Sequence, residues 1–409
     1  MSLLNIKEFY GQSLDVKAPW KVTEVSIDSE KRQVHVLVEC ARGVPWVDPE
    51  TRERAEIKDW QERIWRHLDT CEFETVITAK VPRIILKNGR TMMVAVPWAE
   101  AGGRFTRSFE RRVIELLTQC RTVRGAARLA RITEDAVDGV LKRAVARGLS
   151  RRAVLELKHI GLDEKAIRKG HRYATILTDI DGGGVIDVVE ERTREATLKL
   201  LTQLPKESLA GIEAVAMDMW PAFIGAVGEA LPEASIVFDK FHIKKHLNEA
   251  VDKVRKGENR ELGAAGSGIL KKTKYLWLKN HGDLRLQAEA EFRELLAQDL
   301  KTGTAWALKE NFDRLWKYRT LSRAVKFLWD WVETARGTRL TPLGKAADMV
   351  EKHAEGILNF LWHPITNAGA EGVNSIIQSL KHAARGLPNF QSFRNRVLFF
   401  LGKLDLTPA

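Results

Sequence analysis

The sequence predicts an α/β protein: a mixed β-sheet interrupted by a block of helices, with a small β-containing module and a helical segment before it. Apolar runs of strand length recur between residues 154 and 239, and Asp181-Gly-Gly-Gly184 marks a tight reversal between two of them. Strand signals then stop, and from residue 242 to 360 the apolar residues take helical spacing. With 44% apolar residues, the 409-residue chain can form packed cores in about two to four domains.

Residues 1–103 are predicted to form the β-containing module. Valine and isoleucine alternate with polar residues on both sides of the turn-rich DSEKRQ sequence, which predicts a hairpin from Val25 to Val38. A second strand pair is expected around Asn88-Gly89, a dipeptide typical of tight hairpin turns. The mixed, tryptophan-rich stretch between the two pairs carries no assignment.

Residues 104–152 are predicted to form a basic helix-turn-helix. This segment contains 13 Lys and Arg against 5 Asp and Glu, a net charge of +8. Thr133 is placed as the N-cap of the last helix. The segment is expected to enter a DNA groove, although a helical bundle with a charged exterior would show the same pattern. The residues expected to contact DNA are Arg124, Arg128, Arg131, Lys142, Arg143 and Arg147.

Residues 153–241 are predicted to contain five strands. The first, LELKHIGLD, ends at Asp163, and the next two form the hairpin around the glycine run. IEAVAMD and ASIVFD follow as single strands separated by helical stretches. Three antiparallel strands followed by helix–strand units is the order of an RNase H-like sheet. The segment 242–360 is then an all-α insertion, and 361–409 supplies the C-terminal helices.

Three carboxylates stand in distinctive contexts. Asp163 and Asp218 each follow an apolar, strand-like run, and Glu371 opens a helical segment far downstream. Together they would offer oxygen ligands to magnesium, which keeps waters and takes phosphate oxygens as its remaining ligands. Two such ions could support phosphodiester cleavage and strand transfer. The alternative is that these residues are ordinary caps or solvated turns, as many acidic residues after strands are.

Two further sets of polar residues accompany these carboxylates. Asp239 and His242, in FDKFHIKKHLNEAV, are second-tier candidates for the active site, although a packed, hydrogen-bonded histidine pair with His246 explains the pattern equally well. No third soft ligand accompanies the two histidines, so zinc has little support there. The helix of Glu371 carries a polar stripe that could contact phosphates or simply face solvent. Its basic members are Lys381 and Arg385.

Net charge, hydropathy and cysteine spacing limit the kinds of partner and the cellular location that the chain can have. A net charge of +12 and a pI near 9.5 favour a polyanionic partner. No apolar run of about 18 residues is present and the N-terminus lacks a leader pattern, so we expect a cytoplasmic protein without membrane contact. Cys40, Cys71 and Cys120 are widely spaced and form no CxxC pair, so neither disulfides nor a structural zinc site is expected.

Several motifs in order resemble one known family. They are TVRGAARLARITEDAVDGVLKRA, GLDEKAIRKGHRY, VAMDMWPAF, FDKFHIKKHLNEAVDKVR, KYLWLKN, HPITNAGAEGVNS and LKHAARGLPNFQSFR. The chain is similar, over nearly its whole length, to bacterial insertion-sequence transposases of the DDE class, ISL-three family. The resemblance implies an RNase H-like catalytic domain, two Mg²⁺ or Mn²⁺ ions held by Asp163, Asp218 and Glu371, and an N-terminal region that recognises terminal inverted repeats.

The N-terminal module departs from that family. Relatives usually carry a small zinc-binding module with paired cysteines, whereas only Cys40 and Cys71 lie nearby here. We therefore expect a degenerate, metal-free zinc-finger-like module within residues 1–103.

The predicted function is DNA transposition. It would involve double-stranded transposon-end and target DNA, a homo-oligomer (a dimer) formed on DNA, and action at the bacterial nucleoid. A metal-dependent nuclease without strand transfer and a non-catalytic, transposase-derived repressor are the alternatives.

Overall fold

The computed structural model describes residues 5–168, 172–284, 286–383 and 389–408. Contacts divide the chain into two compact units. The first unit comprises Met1–Arg152, Leu380–Pro388 and Leu404–Ala409, and the second comprises Ala153–Ser379 and Asn389–Lys403. Within the described ranges, no helix is long and apolar enough to cross a membrane.

A six-stranded sheet forms the body of the N-terminal module. The elements are α1 (Ile6–Ser13), β1 (Trp20–Asp28), β2 (Gln33–Cys40), β3 (Trp46–Val47), β4 (Arg54–Thr70), β5 (Phe73–Ile85) and β6 (Thr91–Met93). The strand order is β1-β2-β5-β4-β3, and β6 pairs with β5. Asp28 lies opposite Gln33, which confirms the predicted first hairpin. The antiparallel β5–β6 pair, which turns through Gly89 at φ +77, confirms the second.

The longest strand, β4, and the first part of β5 come from the stretch to which the sequence gives no assignment. The inner face of β5 is apolar, whereas that of β4 places Gln61 and Arg63 beside the buried Trp65 and so shows no regular apolar alternation. Tryptophans fill the core, because the Trp98 ring packs edge to face on Trp20 at 5.3 Å and on Trp65 at 5.4 Å between centroids. Such pairs add stabilisation beyond the apolar area they bury.

Three helices follow in the same unit: α2 (Arg107–Cys120), α3 (Val123–Ala130) and α4 (Glu134–Arg151). Each begins after a threonine whose hydroxyl accepts a hydrogen bond from a backbone N–H of the first turn. Thr133 is the cap of α4, as predicted. The apolar faces of α2 and α4 are buried, with Val113, Val137 and Val140 fully covered.

The second unit contains a five-stranded mixed sheet. Its elements are β7 (His159–Arg168), β8 (Arg172–Asp179), β9 (Gly184–Glu190), α5 (Arg194–Thr202), α6 (Lys206–Ala210), β10 (Ala214–Met217), α7 (Pro221–Ala230) and β11 (Ser235–Phe238). The strand order is β11-β10-β7-β8-β9. β7, β8 and β9 are antiparallel neighbours, whereas β10 runs parallel to both β7 and β11. All four residues of β10 are buried, as expected for a parallel strand covered on both faces.

A helical block follows the last strand. Its helices are α8 (Lys240–Ala264), α9 (Lys274–Leu278), α10 (Leu286–Leu296), α11 (Lys301–Phe312), α12 (Leu321–Gly337), α13 (Thr341–Lys352) and α14 (Ala354–Leu358). No strand occurs among the described residues of this block, which confirms its predicted helical character. Trp277 and Trp331 are buried in its core. The chain then continues through α15 (Ala368–Ala383) to α16 (Phe390–Leu401).

Candidate active site and nucleic-acid interface

Asp163 lies in β7, and Asp218 directly follows the neighbouring strand β10. In the parallel β7–β10 pair, Ala214 lies opposite His159 and Ala216 opposite Gly161. Continuing this register by two residues places Asp218 level with Asp163. The prediction that β7 ends at Asp163 is wrong: the strand continues to Arg168, because its second half pairs with β8 after β10 has ended.

The Asp163 carboxylate is held by two hydrogen bonds. Its Oδ1 accepts from the backbone N–H of Glu164 at 2.7 Å, and its Oδ2 accepts from Asn374 Nδ2 at 2.5 Å. Burial raises the pKa of Asp163, the two donors and His242 oppose the rise, and the neighbouring charge of Asp218 adds to it. The carboxyl group is therefore fixed in position, and burial disfavours its ionised form.

Within the ranges that the structure describes, the Asp218 carboxylate has fewer hydrogen-bond partners than that of Asp163. Among the described residues, its buried Oδ1 has no hydrogen-bond partner. Burial raises the pKa of Asp218, His242 and Lys245 lower it, and the negative charge of Glu164 raises it further. A buried carboxylate oxygen without a partner is costly, which makes this position a candidate for an additional cation.

The second-tier residues lie at the start of α8. Asp239 is 2% exposed, and its side chain caps the helix by accepting from the Phe241 backbone N–H at 3.1 Å. His242 Nδ1 lies 3.7 Å from Asp239 Oδ2, an ion-pair distance longer than a hydrogen bond. Asp239 raises the pKa of His242, and Asp218 and Asp163 contribute to the same shift. These carboxylates therefore favour the protonated form of His242, whereas His246 pairs at 3.9 Å with Glu249.

Helix α15 supplies further polar groups. Glu371 lies in it one turn before Asn374, so the two positions share a helix face. The Glu371 side chain and the whole of Arg385 lie outside the described residues. Lys381 lies near the end of the same helix. Before the helix, the buried Asn367 donates from Nδ2 to the Leu162 carbonyl at 2.9 Å.

A cluster of charged and aromatic side chains borders the aspartates, and most of it has no recognisable signal in the sequence. Arg192 Nη1 donates to both carboxylate oxygens of Glu164, at 2.9 and 2.7 Å. Its guanidinium carbon lies 4.1 Å from the ring centroid of Tyr173 and 4.5 Å from that of Trp220. Only the adjacency of Glu164 to Asp163 could have suggested part of this arrangement.

The donor set around the aspartates fits a hard divalent cation. Asp163 and Asp218 contribute carboxylate oxygens, and Asn374 Oδ1 is buried without a hydrogen-bond partner in the described part of the chain. Oxygen atoms are the ligands that Mg²⁺ uses, and a divalent cation would offset the burial of two carboxyl groups.

The basic residues of the helix-turn-helix fall into two groups. Arg124 and Arg128 are exposed on α3. Arg131 is exposed but forms an ion pair with Asp69, and Lys142 Nζ lies 2.8 Å from Asp138 on the same helix face. These four side chains remain accessible to a phosphate backbone.

Arg143 and Arg147 are engaged inside the first unit. Arg147 is 9% exposed and donates to Glu100 at 2.8 and 2.6 Å, to Glu110 at 3.2 Å and to the Leu406 carbonyl at 2.6 Å. Arg143 Nε donates to the buried Glu110 at 2.9 Å. The acidic partners that occupy the Arg147 guanidinium weigh against the predicted DNA contact of this residue, and Arg143 is largely committed in the same way.

Comparison with known proteins identifies the family. A family model described as "Transposase", of the DDE class and the ISL3 (ISL-three) group, matches residues 160–397, more than half of the chain. The chain belongs to the ISL3 transposase family. A model described as the helix-turn-helix domain of transposase family ISL3 matches residues 94–145, the segment that contains α2, α3 and most of α4.

Two insertion-sequence transposases are similar to this ISL3 family member over most of its length. The transposase for insertion sequence element IS1001 of Bordetella parapertussis is 28% identical over 337 residues, which cover 80% of this chain and 81% of the relative. The transposase for insertion sequence element IS1557 of Mycobacterium tuberculosis is 24% identical over 379 residues, covering 86% and 82%.

A zinc-finger model bears on the N-terminal module of this ISL3 family member. The model, described as the zinc-finger of transposase IS204/IS1001/IS1096/IS1165, matches residues 45–87 and runs against the expectation that no zinc is bound there. Within those residues the thiol and imidazole groups are Cys71 and His67 alone. Cys71 is exposed, and His67 Nδ1 bonds Thr106 Oγ1 at 2.9 Å. The matched segment thus contains fewer than the four such ligands of most structural zinc sites.

Proposed function

We propose that this chain is a DNA transposase that binds the terminal inverted repeats of an insertion sequence and cuts and joins phosphodiester bonds at Asp163, Asp218 and Glu371. The placement of Asp163 and Asp218 at one level of β7 and β10 carries the proposal, because it pairs two buried carboxylates beside a helix that contains Glu371. The strand order β11-β10-β7-β8-β9 supports an RNase H-like class for the sheet.

The chain divides by role. Residues 1–103 form a degenerate zinc-finger-like module without bound zinc, and 104–152 form the helix-turn-helix. Residues 153–241 and 361–409 form the catalytic domain, which is interrupted by the all-α insertion 242–360. The protein acts on the nucleoid DNA of a bacterial cytoplasm, as a dimer on DNA, because two transposon ends must be joined.

Asp163, Asp218 and Glu371 would hold two Mg²⁺ or Mn²⁺ ions, which would supply Lewis-acid chemistry for phosphodiester cleavage. Asn374 fixes one oxygen of Asp163, so this carboxylate keeps its direction when substrate arrives. Arg192 fixes Glu164 and prevents that carboxylate from turning freely beside Asp218. His242 contributes positive charge next to both aspartates.

DNA is held largely through its phosphates. Arg124 and Arg128 on α3 are the principal contacts, with Arg131 and Lys142 beside them. Lys381 and Arg385 are proposed phosphate contacts on and after α15. Each phosphate neutralised by such a side chain releases counterions, so binding should weaken steeply with salt.

The test uses the full chain, paired end DNAs and Mg²⁺. Asp218→Asn should lower cleavage at least about a hundredfold, because it removes ligand charge that is worth several kcal/mol in the transition state. Binding of end DNA should stay unchanged. Asp299→Asn, at an exposed carboxylate between α10 and α11, is the matched control and should cleave normally.

The products separate the rival functions. Joined end–target molecules support transposition, whereas cleavage without joining in the presence of target DNA would indicate a nuclease. Binding with no cleavage by the unsubstituted chain, in Mg²⁺ and in Mn²⁺, would indicate a repressor.

A further inference from the structure

A second group of possible metal ligands lies at the opposite end of β7. His159 begins this strand, Glu213 directly precedes β10, and His363 lies between the helical block and α15. One ligand atom from each residue lies within 4.8 Å of the other two. Asp163 is four residues farther along β7, roughly 13 Å away at the rise of a strand. This group is therefore separate from the aspartate centre.

The sheet register holds two of the three residues together. His159 lies opposite Ala214 in the parallel β7–β10 pair, and the Glu213 backbone N–H donates to the Lys158 carbonyl at 2.8 Å. The His159 and His363 rings meet edge to face with centroids 5.6 Å apart. Backbone pairing and ring packing thus fix the three side chains close to one point.

A carboxylate also orients His159. Its Nδ1 lies 3.0 and 3.1 Å from the two carboxylate oxygens of Asp181. An ionised carboxylate can only accept, so Nδ1 carries the proton, and in the neutral ring Nε2 then offers its lone pair to a metal. Histidines that bind metals are commonly oriented by a carboxylate on the other ring nitrogen.

We infer that His159, Glu213 and His363 bind a divalent transition-metal ion of the zinc class, with Asp181 as a positioning residue. Two imidazole nitrogens and one carboxylate oxygen form a set that zinc uses, leaving a fourth position for water. At bond lengths of about 2.1 Å, two ligand atoms of a tetrahedral site lie about 3.4 Å apart. A small rotation of Glu213, whose side chain is 52% exposed, closes the difference.

The ion would clamp the segment that leads into α15. His363 lies four residues before Asn367, whose side chain bonds the β7 backbone, and eleven before Asn374, which bonds Asp163. A metal ion that links His363 to the starts of β7 and β10 would restrict the movement of the segment between His363 and α15. The ion therefore has a structural role, independent of the cations proposed at Asp163 and Asp218.

The experiment is a calorimetric zinc titration of the chelator-treated full chain. We expect one zinc bound through nitrogen and oxygen, and a cobalt-loaded form without a thiolate charge-transfer band. Glu213→Gln and the His159→Gln/His363→Gln pair should weaken this binding at least about tenfold, and Asp181→Asn by about tenfold. His35→Gln and Asp163→Asn/Asp218→Asn are the controls and should leave it unchanged.

Glu213→Gln keeps the test decisive if the histidine pair disturbs folding, because Glu213 is exposed. Zinc should also raise the unfolding temperature of the unsubstituted chain but not that of Glu213→Gln. Even a weak site should bind zinc at concentrations of tens of micromolar. Absence of zinc binding at such concentrations would overturn the proposal. Equal binding by the unsubstituted chain and by Glu213→Gln would overturn it as well.

Discussion

Arg147 should stabilise the first unit and contribute nothing directly to DNA binding. Its side chain is 8% exposed and faces the Glu110 carboxylate, which is 2% exposed, and that of Glu100, which is 24% exposed. Removing one partner of a buried ion pair costs about 3–5 kcal/mol, because the other charge stays buried. Arg143 continues to pair with Glu110, so we expect Arg147→Met to cost about 3 kcal/mol, the low end of that range.

The assay must report on the stability of the first unit alone, because the chain contains two compact units and Arg147 lies in the first. Hydrogen exchange of the α4 amides, followed by mass spectrometry, measures the opening free energy of that helix. End-DNA affinity measured across salt concentrations gives the number of phosphate contacts. Arg124→Met is the matched control, and it should change α4 protection by less than about 0.5 kcal/mol while lowering the salt slope by about 1.

The opposite pattern would refute this reasoning. If Arg147→Met left α4 protection within about 0.5 kcal/mol of the unsubstituted chain and also lowered the salt slope, Arg147 would be a phosphate contact. The buried ion-pair network would then be unimportant for stability.

Three further predictions concern stability. Burial, with a contribution from Arg66, lowers the pKa of His67 from 6.5 to about 4. About 3 kcal/mol of stability that is present above pH 6.5 should therefore be lost as the pH falls toward 4. In an acid-unfolding experiment, His67→Gln should make the stability depend less on pH over this range. Glu258→Ala should cost about 2 kcal/mol in urea unfolding, because the buried carboxylate accepts from the backbone N–H groups of Lys301 and Thr302 at 2.7 and 2.8 Å. Gly161→Ala should lower both the unfolding temperature and DNA cleavage, because a Cβ there would lie 2.5 Å from Asn367 Oδ1; unchanged values for both would contradict this.

Much of the fold could be predicted because its signals are local. The N-terminal hairpin, the Thr133 cap and the helical block each follow from spacing within a few residues. The sequence does not reveal β4, because Gln61 and Arg63 lie on its inner face beside Trp65 and remove the regular apolar alternation. Asp163 was misplaced at a strand end because the length of β7 depends on pairing with β8, which follows later in the chain.

The candidate site was partly predictable for the same reason. Asp163 and Asp218 follow apolar runs that any reader of the sequence can find. Arg192 and the group formed by His159, Glu213 and His363 could not be found in this way, since their members are far apart in sequence. Likewise, Arg147 has the same sequence context as an exposed arginine, and only its acidic neighbours show that it is structural.

The sequence alone determined the α/β class and the basic helix-turn-helix, and it singled out Asp163, Asp218 and Glu371 as candidates, because apolar period, capping and charge depend on neighbouring residues. The tertiary structure decided which side chains meet. It set Asp163 level with Asp218, brought Asn374 to Asp163 and buried Arg147, because strand register and helix packing are fixed by contacts between distant segments.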